Sequence, residues 1–150
     1  MKTLSTVFGK VSYDPRKTVF FPEGLIGFEG LRNFIVMPHE NDDFLFCFQS
    51  IEEPHVIFLL VNPALFFPDY RVSVSRDIRE KLGMEKNDPY FILTTITFHQ
   101  NEHFTLNLLA PVFYTPKTDK AVQIVLEGTD YSTKTALPSQ AAPCENQDES

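Results

Sequence analysis

The sequence predicts a single, mostly β domain with one or two short helices. Its apolar segments are short, rich in β-branched and aromatic residues, and bounded by turn residues, a pattern that favours strands over helices. A chain of 150 residues buries about 70% of the surface that its unfolded form exposes, so it needs neither a metal nor a disulfide to hold a core. Cys47 and Cys144 are far apart in the sequence, which indicates no disulfide framework and fits a reducing compartment.

Ten segments have the composition and length of strands, and turn residues separate them. The segments are residues 3–8, 10–13, 18–21, 34–37, 44–50, 56–61, 71–74, 90–98, 104–109 and 121–126. The turns are predicted at residue 9 and at residues 14–15, 39–43, 62–63, 99–102 and 115–119. Short connections of this kind are typical of antiparallel neighbours.

One stretch, residues 76–82, predicts a helix of about two turns. Ser75 can cap its first turn, Asp77 lies near the positive end of the helix dipole, and Gly83 supplies a stop. A shorter helical turn is predicted at residues 27–32.

Two predicted strands are apolar at successive positions and therefore have no polar face. They include residues 44–48 and 56–61. A sheet with one face in water would alternate polar and apolar residues. Either a barrel or a sandwich covers both faces, or one face is an exposed apolar surface that a partner covers.

The charge of the chain is negative and concentrated in one segment. The sequence has 20 Asp and Glu against 13 Lys and Arg, a formal net charge of −7. The segment between Asn33 and Tyr70 contains no Lys or Arg and six acids: Glu40, Asp42, Asp43, Glu52, Glu53 and Asp69. These acids serve solubility or steer the chain toward a basic protein. This excess of acids argues against sequence-independent binding of nucleic acid, which needs clustered Lys and Arg.

Neither a membrane span nor a signal peptide is predicted. No apolar run approaches roughly 18 residues, and Gly9 and Lys10 interrupt the apolar residues near the N-terminus. The expected location is therefore the cytoplasm.

From residue 137 onward the composition shifts to Pro, Ser, Gln, Ala, Asn and acids. Residues 137–150 are therefore predicted to be a disordered acidic tail after a domain of residues 1–136.

One string matches a catalytic pattern: His99, Glu102 and His103 fit the arrangement H-x-x-E-H. Zinc hydrolases of that class place both imidazoles on one face of a helix, with a carboxylate beside the metal-bound water. Strand-like segments flank the string here, so we interpret it as a hairpin loop. A metal-dependent hydrolase built on these three residues is an alternative, and so is a β-barrel that binds single-stranded RNA through its aromatic residues. No cofactor is expected.

Three stretches carry more specific motifs. Residues 21–28 are FPEGLIGF, and residues 48–54 are FQSIEEP, followed by Phe58, Val61 and Pro63. Residues 105–112 are TLNLLAPV, and residues 123–126 are QIVL. In this order they are similar to the F-P-E-G-L-x-G-F signature, the L-Q-S segment and the T-x-N-L-x-A-P and Q-x-x-L elements of one family. Residues 2–137 thus resemble the FliW family of flagellar assembly factors.

The resemblance implies a cytoplasmic, non-enzymatic regulator with a small β-barrel-like fold of antiparallel strands. It also implies two partners: flagellin before its export, and CsrA, a small RNA-binding protein that represses flagellin translation. Free protein would antagonise CsrA, whereas accumulating flagellin would capture the protein and release CsrA. Such a partner switch needs differential binding to two proteins and no bond chemistry. Neither a membrane nor direct contact with nucleic acid is involved.

The resemblance and the charge pattern together indicate two sets of site residues. CsrA must present a basic surface to RNA, so its expected contacts combine acids with aromatic residues: Glu52, Glu53, Phe66, Phe67 and Asp69. The amphipathic terminal helices of flagellin need an apolar groove, and the expected contacts lie near the last strands: Asn107, Pro111, Gln123, Ile124 and Tyr131. Structural alternatives stand beside these roles, since Asn107 can cap a turn, Pro111 can end a strand and Ile124 can belong to the core.

Overall fold

Strands form most of the regular structure. The computed structural model describes residues 1–6, 9–39, 42–100 and 103–137. Within these ranges the strands are β1 (Lys2–Thr6), β2 (Gly9–Tyr13), β3 (Val19–Phe20), β4 (Asn33–His39), β5 (Asp42–Ser50), β6 (Ile57–Val61), β7 (Phe91–Phe98), β8 (Phe104–Leu106), β9 (Val112–Thr115), β10 (Lys120–Gln123) and β11 (Thr135–Ala136). The α-helix α1 spans Arg76–Leu82, and short 3-10 helices span Pro15–Lys17 and Pro63–Leu65.

Seven of these strands close into a barrel. Their order is β3, β4, β5, β6, β7, β9 and β10, and β10 returns to β3. Neighbours in the barrel are antiparallel except β10 and β3, which pair in parallel. β8 and β11 extend the sheet outward from β7, and β1 and β2 form a separate hairpin. The predicted mostly β, barrel-like fold is confirmed.

Aromatic rings fill the interior of the barrel. Phe21, Phe34 and Phe48 are fully buried, and the ring centroid of Phe21 lies 5.1 Å from that of Phe34 and 6.0 Å from that of Phe48. Such edge-to-face pairs add to the stabilisation that burial supplies. Leu60 joins this cluster from β6. Since β5 and β6 contribute Phe48 and Leu60, each of the two apolar runs has a covered face.

The helix begins and ends where the sequence predicts. The Ser75 hydroxyl accepts a hydrogen bond from the Ile78 N–H at 3.2 Å, and Gly83 ends the helix with a φ of 64°. Ile78 and Leu82 are buried against Phe113 of β9 and Val122 of β10. The helix therefore covers the outer face of these two strands.

Two local predictions are wrong. Residues 71–74 do not form a strand but lead into α1, and Val72 and Val74 pack on the core instead of pairing in a sheet. Residues 27–32 form no helical turn but consecutive tight turns beside a bridge between Leu25 and Phe28. The φ of +87° at Gly27 lies outside the range of a right-handed helix.

The last part of the chain has a finer strand pattern than predicted. The strands expected at residues 104–109 and 121–126 end at Leu106 and Gln123, and β9 and β11 are not predicted at all. Between the strands the backbone bonds irregularly: the Asn107 N–H donates to the Thr95 carbonyl, and the Leu126 N–H donates to the Leu109 carbonyl. Apolar composition does not reveal these breaks in the ladder.

The predicted tail lies outside the described residues from residue 138 onward, as do residues 40–41 of the turn predicted at residues 39–43. Leu137 is described: its N–H donates to the Phe104 carbonyl at 3.3 Å, and its side chain packs on the cluster around Tyr70 and Leu106. Among the described residues, no helix is long and apolar enough to cross a membrane.

Candidate functional site

An open groove with a volume of about 460 Å³ lies at one end of the barrel. β6 begins at this end, and β7 and β10 terminate there. The loop between β3 and β4 and the segment before β9 complete its walls. The lining residues are Leu25, Ile26, Phe28, Ile57, Phe58, Leu59, Thr95, Ile96, Thr97, Phe98, Asn107, Leu109, Ala110, Gln123, Val125 and Thr133.

Several apolar side chains of the groove face solvent. The exposed fractions are 52% for Ile26, 44% for Phe28, 59% for Phe98 and 50% for Val125. Single exposed apolar residues are common on proteins, but a cluster in one concave surface is typical of a binding site. We call these four residues the groove cluster.

The loop that carries Ile26 and Phe28 is held in place by its neighbours. Leu25 is only 2% exposed and anchors the loop in the barrel core, and the ring of Phe28 packs against Phe58 at 5.1 Å. Gly24 has a φ of +70°, and a Cβ added there would lie 2.5 Å from the Glu29 carbonyl oxygen. Only glycine fits such a close approach of two backbone segments. The loop therefore presents two apolar side chains without collapsing onto the core.

Two residues predicted to bind flagellin, Gln123 and Asn107, lie in the groove. Gln123 ties its walls together: its Oε1 accepts from the Ile26 N–H at 2.8 Å, and its Nε2 donates to the Ala110 carbonyl at 3.0 Å. The Asn107 Oδ1 accepts from the Ala110 N–H at 3.0 Å, which is the turn-capping role foreseen as its structural alternative. Both side chains thus shape the groove from within.

The other three residues of that set are not among those that line the groove. Pro111 is buried, and its carbonyl accepts from the Ile124 N–H at 3.0 Å. Ile124 packs beside α1, so it belongs to the core as its structural alternative states. The ring of Tyr131 packs against Tyr70 at 4.7 Å, in a third apolar cluster.

Tyr70 is the buried polar anchor of that third cluster. Its hydroxyl donates to the Leu108 carbonyl at 2.7 Å. Burial, with a smaller contribution from Tyr131, raises the pKa of Tyr70 well above its usual value. The phenol therefore stays neutral and remains a hydrogen-bond donor at physiological pH.

The residues predicted to face CsrA do not form one patch. Glu52 and Glu53 lie in the turn between β5 and β6, at the groove end of the barrel, whereas Phe66, Phe67 and Asp69 follow β6 at the opposite end. β6 has five residues, so roughly 16 Å of strand separates the two groups. Phe66 and Phe67 are half-buried against the third cluster.

Glu52 is a structural carboxylate as well as a surface charge. It accepts from the Asn33 side-chain amide at 2.7 Å and from the backbone N–H groups of Asn33 and Arg32. Partial burial raises the pKa of Glu52, but these hydrogen bonds outweigh it, so the net shift is downward. Glu52 therefore carries a negative charge at neutral pH and fixes the start of β4.

A second exposed apolar surface lies at the end of the barrel opposite the groove. Leu65, Tyr90 and Phe91 are 55%, 39% and 41% exposed. They lie beside a smaller cleft of about 290 Å³ lined by residues that include Tyr90 and Phe91. We call these three residues the distal patch.

The sequence does not identify the groove cluster or the distal patch as binding surfaces, because the exposure of a side chain depends on which strands pair in the folded chain. One signal was available for Ile26 and Phe28. The glycines at 24, 27 and 30 indicate a tightly turning loop, and such a loop cannot direct all of its apolar residues inward.

His99 and His103 lie at the adjoining ends of two paired strands, as expected for the predicted hairpin loop. β7 and β8 pair in antiparallel fashion on either side of it, and the His99 N–H donates to the His103 carbonyl at 3.0 Å. The two imidazoles stack with centroids 4.7 Å apart, and His99 Nε2 shares a 2.8 Å hydrogen bond with the Thr105 hydroxyl. Glu102 lies outside the described residues. Among the described residues, no three His, Cys, Asp or Glu side chains are grouped so that they could hold a metal ion.

The motifs that form the groove also relate the chain to known proteins. The profile of the family described as FliW protein matches residues 2–137. The chain belongs to the FliW family. In this FliW-family fold the FPEGLIGF motif forms the loop that presents Ile26 and Phe28, so this motif builds one wall of the groove.

Two relatives illustrate the match. Flagellar assembly factor FliW 2 of Desulfotalea psychrophila is 45% identical over 139 residues, which cover 93% of this chain and 92% of the relative. Flagellar assembly factor FliW of Syntrophotalea carbinolica is 46% identical over 138 residues, which cover 92% of this chain and 99% of the relative. The family indicated by the three sequence motifs is confirmed.

A solved structure supports the fold. The crystal structure of the flagellar assembly factor FliW superposes with a TM-score of 0.83 and covers 93% of this chain and 99% of its own. Its sequence identity to this chain is 24%, so this likeness concerns the architecture and not the surfaces.

Proposed function

We propose that this FliW-family protein is a cytoplasmic regulator that binds flagellin before its export and, when free of flagellin, binds CsrA. CsrA held in this way no longer represses flagellin translation. Both steps are associations between proteins, so the proposed role is not enzymatic. Support comes from family membership and from relatives that are named flagellar assembly factors.

The groove cluster is the observation that supports the proposed binding of flagellin. Its four residues, Ile26, Phe28, Phe98 and Val125, are 44% to 59% exposed around one concave surface. An amphipathic helix lays its apolar face into a groove of this kind. The terminal helices of flagellin are expected to be amphipathic and unpaired before export, so they have the chemistry that the groove accepts.

For CsrA, the acids of the β5–β6 turn are the stronger part of the predicted set. Glu52 and Glu53 are exposed, and no cation follows them before Arg71 in the sequence. Asp69 is also exposed but lies two residues from Arg71, whose guanidinium donates to the Pro68 carbonyl at 2.6 Å. Glu52 and Glu53 therefore have no cation as close in the sequence as Arg71 is to Asp69, which favours them as the acids that attract a basic partner.

The flagellin site is tested with a groove variant and a matched control. Ile26→Glu combined with Val125→Glu places two charges in the groove, and Leu65→Glu places one on an equally exposed residue of the distal patch. Half-burial of each groove side chain is worth about 1 kcal/mol, and the desolvated charges add to the loss. We expect the groove variant to bind flagellin of the same organism at least tenfold more weakly by calorimetry, and the Leu65 variant to bind normally.

Equal weakening in both variants would show that flagellin does not use the groove. If the unmodified protein forms no complex with flagellin on a sizing column, the proposed role itself is abandoned while the fold stands.

The CsrA site is tested by charge reversal at each end of the barrel. We expect Glu53→Lys to weaken binding to CsrA and Asp69→Lys to leave it nearly unchanged, because a basic partner is repelled only by a cation at its own interface. The reverse order of effects would move the CsrA site to the distal end.

A further inference from the structure

The charges around the groove are unevenly balanced. The acids that lie within five residues of the groove lining include Glu29, Glu52, Glu53 and Glu127. We call these four residues the rim acids. Two cations, Arg32 and Lys134, lie in the same region. Among the described residues, none of the rim acids takes part in an ion pair, whereas acids near α1 and Lys117 do.

The hydrogen bonds of two rim acids leave their charge in place. Glu52 accepts from Asn33, which favours its ionised form, and the Glu29 Oε2 accepts from the Gly27 N–H at 3.1 Å. Arg32 Nε is directed to the Glu29 carbonyl oxygen at 3.4 Å and not to its carboxylate. The rim therefore keeps a net negative charge next to an apolar surface.

Several polar groups in the walls of the groove are already bonded within the chain. The Gln123 Oε1 accepts from the Ile26 N–H and its Nε2 donates to the Ala110 carbonyl, while the Asn107 Oδ1 accepts from the Ala110 N–H. A helix satisfies its own backbone and contributes only side chains, so it needs no hydrogen-bond partner from these groups. The groove therefore presents an apolar surface that is bordered by negatively charged residues.

We propose that the groove selects amphipathic helices whose apolar stripe is flanked by Lys or Arg. This inference rests on the proposed flagellin-binding function and adds the chemistry by which that site recognises its partner. The apolar stripe contacts Ile26, Phe28, Phe98 and Val125, and the flanking cations face the rim acids. Helices with the same stripe but acidic flanks are rejected by like charge.

The test uses two synthetic helical peptides with one Leu and Ile stripe, flanked by Lys in the first and by Glu in the second. Binding to the full chain is measured by fluorescence anisotropy at about 0.1 M and about 1 M salt, where the Debye length falls from ~10 Å to ~3 Å. We expect the Lys peptide to bind at least tenfold tighter at low salt, a difference of about 1.4 kcal/mol. Most of that preference should disappear at high salt.

Protein variants show whether the rim acids cause the preference. Glu29→Gln, Glu53→Gln and Glu127→Gln combined should reduce the ratio of the two affinities toward one, while Asp69→Asn at the distal end serves as the control and should leave it unchanged. Glu52 is kept in this variant because it holds Asn33. Circular dichroism and thermal melting confirm that each variant is folded.

The inference fails if both peptides bind equally, if neither binds, or if the preference survives loss of the rim acids. The proposed function is judged separately by flagellin itself. If flagellin binding is sensitive to Ile26→Glu with Val125→Glu but not to the rim variant, the groove remains the flagellin site and only its charge selection is refuted.

Discussion

Replacing Gly24 by alanine would test whether the groove loop depends on a close approach between two backbone segments. A residue other than glycine at a φ of +70° costs roughly 1–2 kcal/mol. The new Cβ would also lie 2.5 Å from the oxygen and 2.6 Å from the Cα of Glu29. Both atoms are backbone, so relief requires movement of the loop, and overpacking of this kind costs about 1–3 kcal/mol more.

Gly27→Ala is the matched control. Gly27 has a φ of +87°, but an added Cβ would meet no atom within 4 Å. Its substitution should therefore carry only the conformational cost of roughly 1–2 kcal/mol. Urea denaturation measures the free energy of unfolding of both variants, and we expect Gly24→Ala to be less stable than Gly27→Ala by at least about 1 kcal/mol.

The same substitution should affect function, because the displaced loop carries Ile26 and Phe28. Flagellin affinity should fall for Gly24→Ala more than for a destabilised variant whose change lies far from the groove, such as Thr115→Val at the distal end of β9, which removes the hydrogen bond to the Pro89 carbonyl. Equal stability of the two glycine variants would refute the reasoning from close approach. Normal flagellin binding by Gly24→Ala would refute the role of the loop.

Three further predictions follow from the hydrogen bonds and the placement of the sites. Tyr70→Phe removes the bond to the Leu108 carbonyl and leaves a buried acceptor unpaired, so the free energy of unfolding in urea should fall by about 1–3 kcal/mol; no change would mean that water replaces the hydroxyl. Because the folded-state pKa of Glu52 is lowered, its ionised form adds stability above the unfolded-state value and loses it as pH falls through the folded-state value. The stability difference between the native chain and Glu52→Gln should therefore be largest near pH 7 and shrink in acid, and a difference that does not vary with pH would contradict the role of this carboxylate. Finally, flagellin titrated into a preformed complex with CsrA should displace CsrA on a sizing column, because the groove and the Glu52–Glu53 turn lie at one end of the barrel; a stable three-way complex would reject exclusive exchange.

Features set by near neighbours in the chain could be predicted well. Ser75 and Gly83 mark the ends of α1 correctly because capping involves residues within one turn of the helix. The hairpin between His99 and His103 follows from two strand-like segments with a short polar connection. The strand expected at residues 71–74 fails because β-branched residues indicate burial, which a connection over the core can also provide.

Site residues were harder to predict than elements. Asn107 and Gln123 do lie in the groove, but Ile124, next to Gln123 in sequence, points to the cluster beside α1. Successive residues at a strand end face opposite sides of the sheet, so a motif identifies the strand without saying which of its residues a partner can reach. The exposed residues Phe98 and Val125 carry no local signal at all.

By itself the sequence determined the mostly β composition, the position of the helix, the concentration of negative charge and, through three motifs, the FliW family. Only the tertiary structure decided which residues share a surface. Closure of the barrel brings β10 beside β3 and β7 beside β9, which assembles the groove from segments as distant as Ile26 and Val125. The physical reason is that capping and turn preferences act between near neighbours, whereas a surface depends on the register of strands that are far apart in the chain.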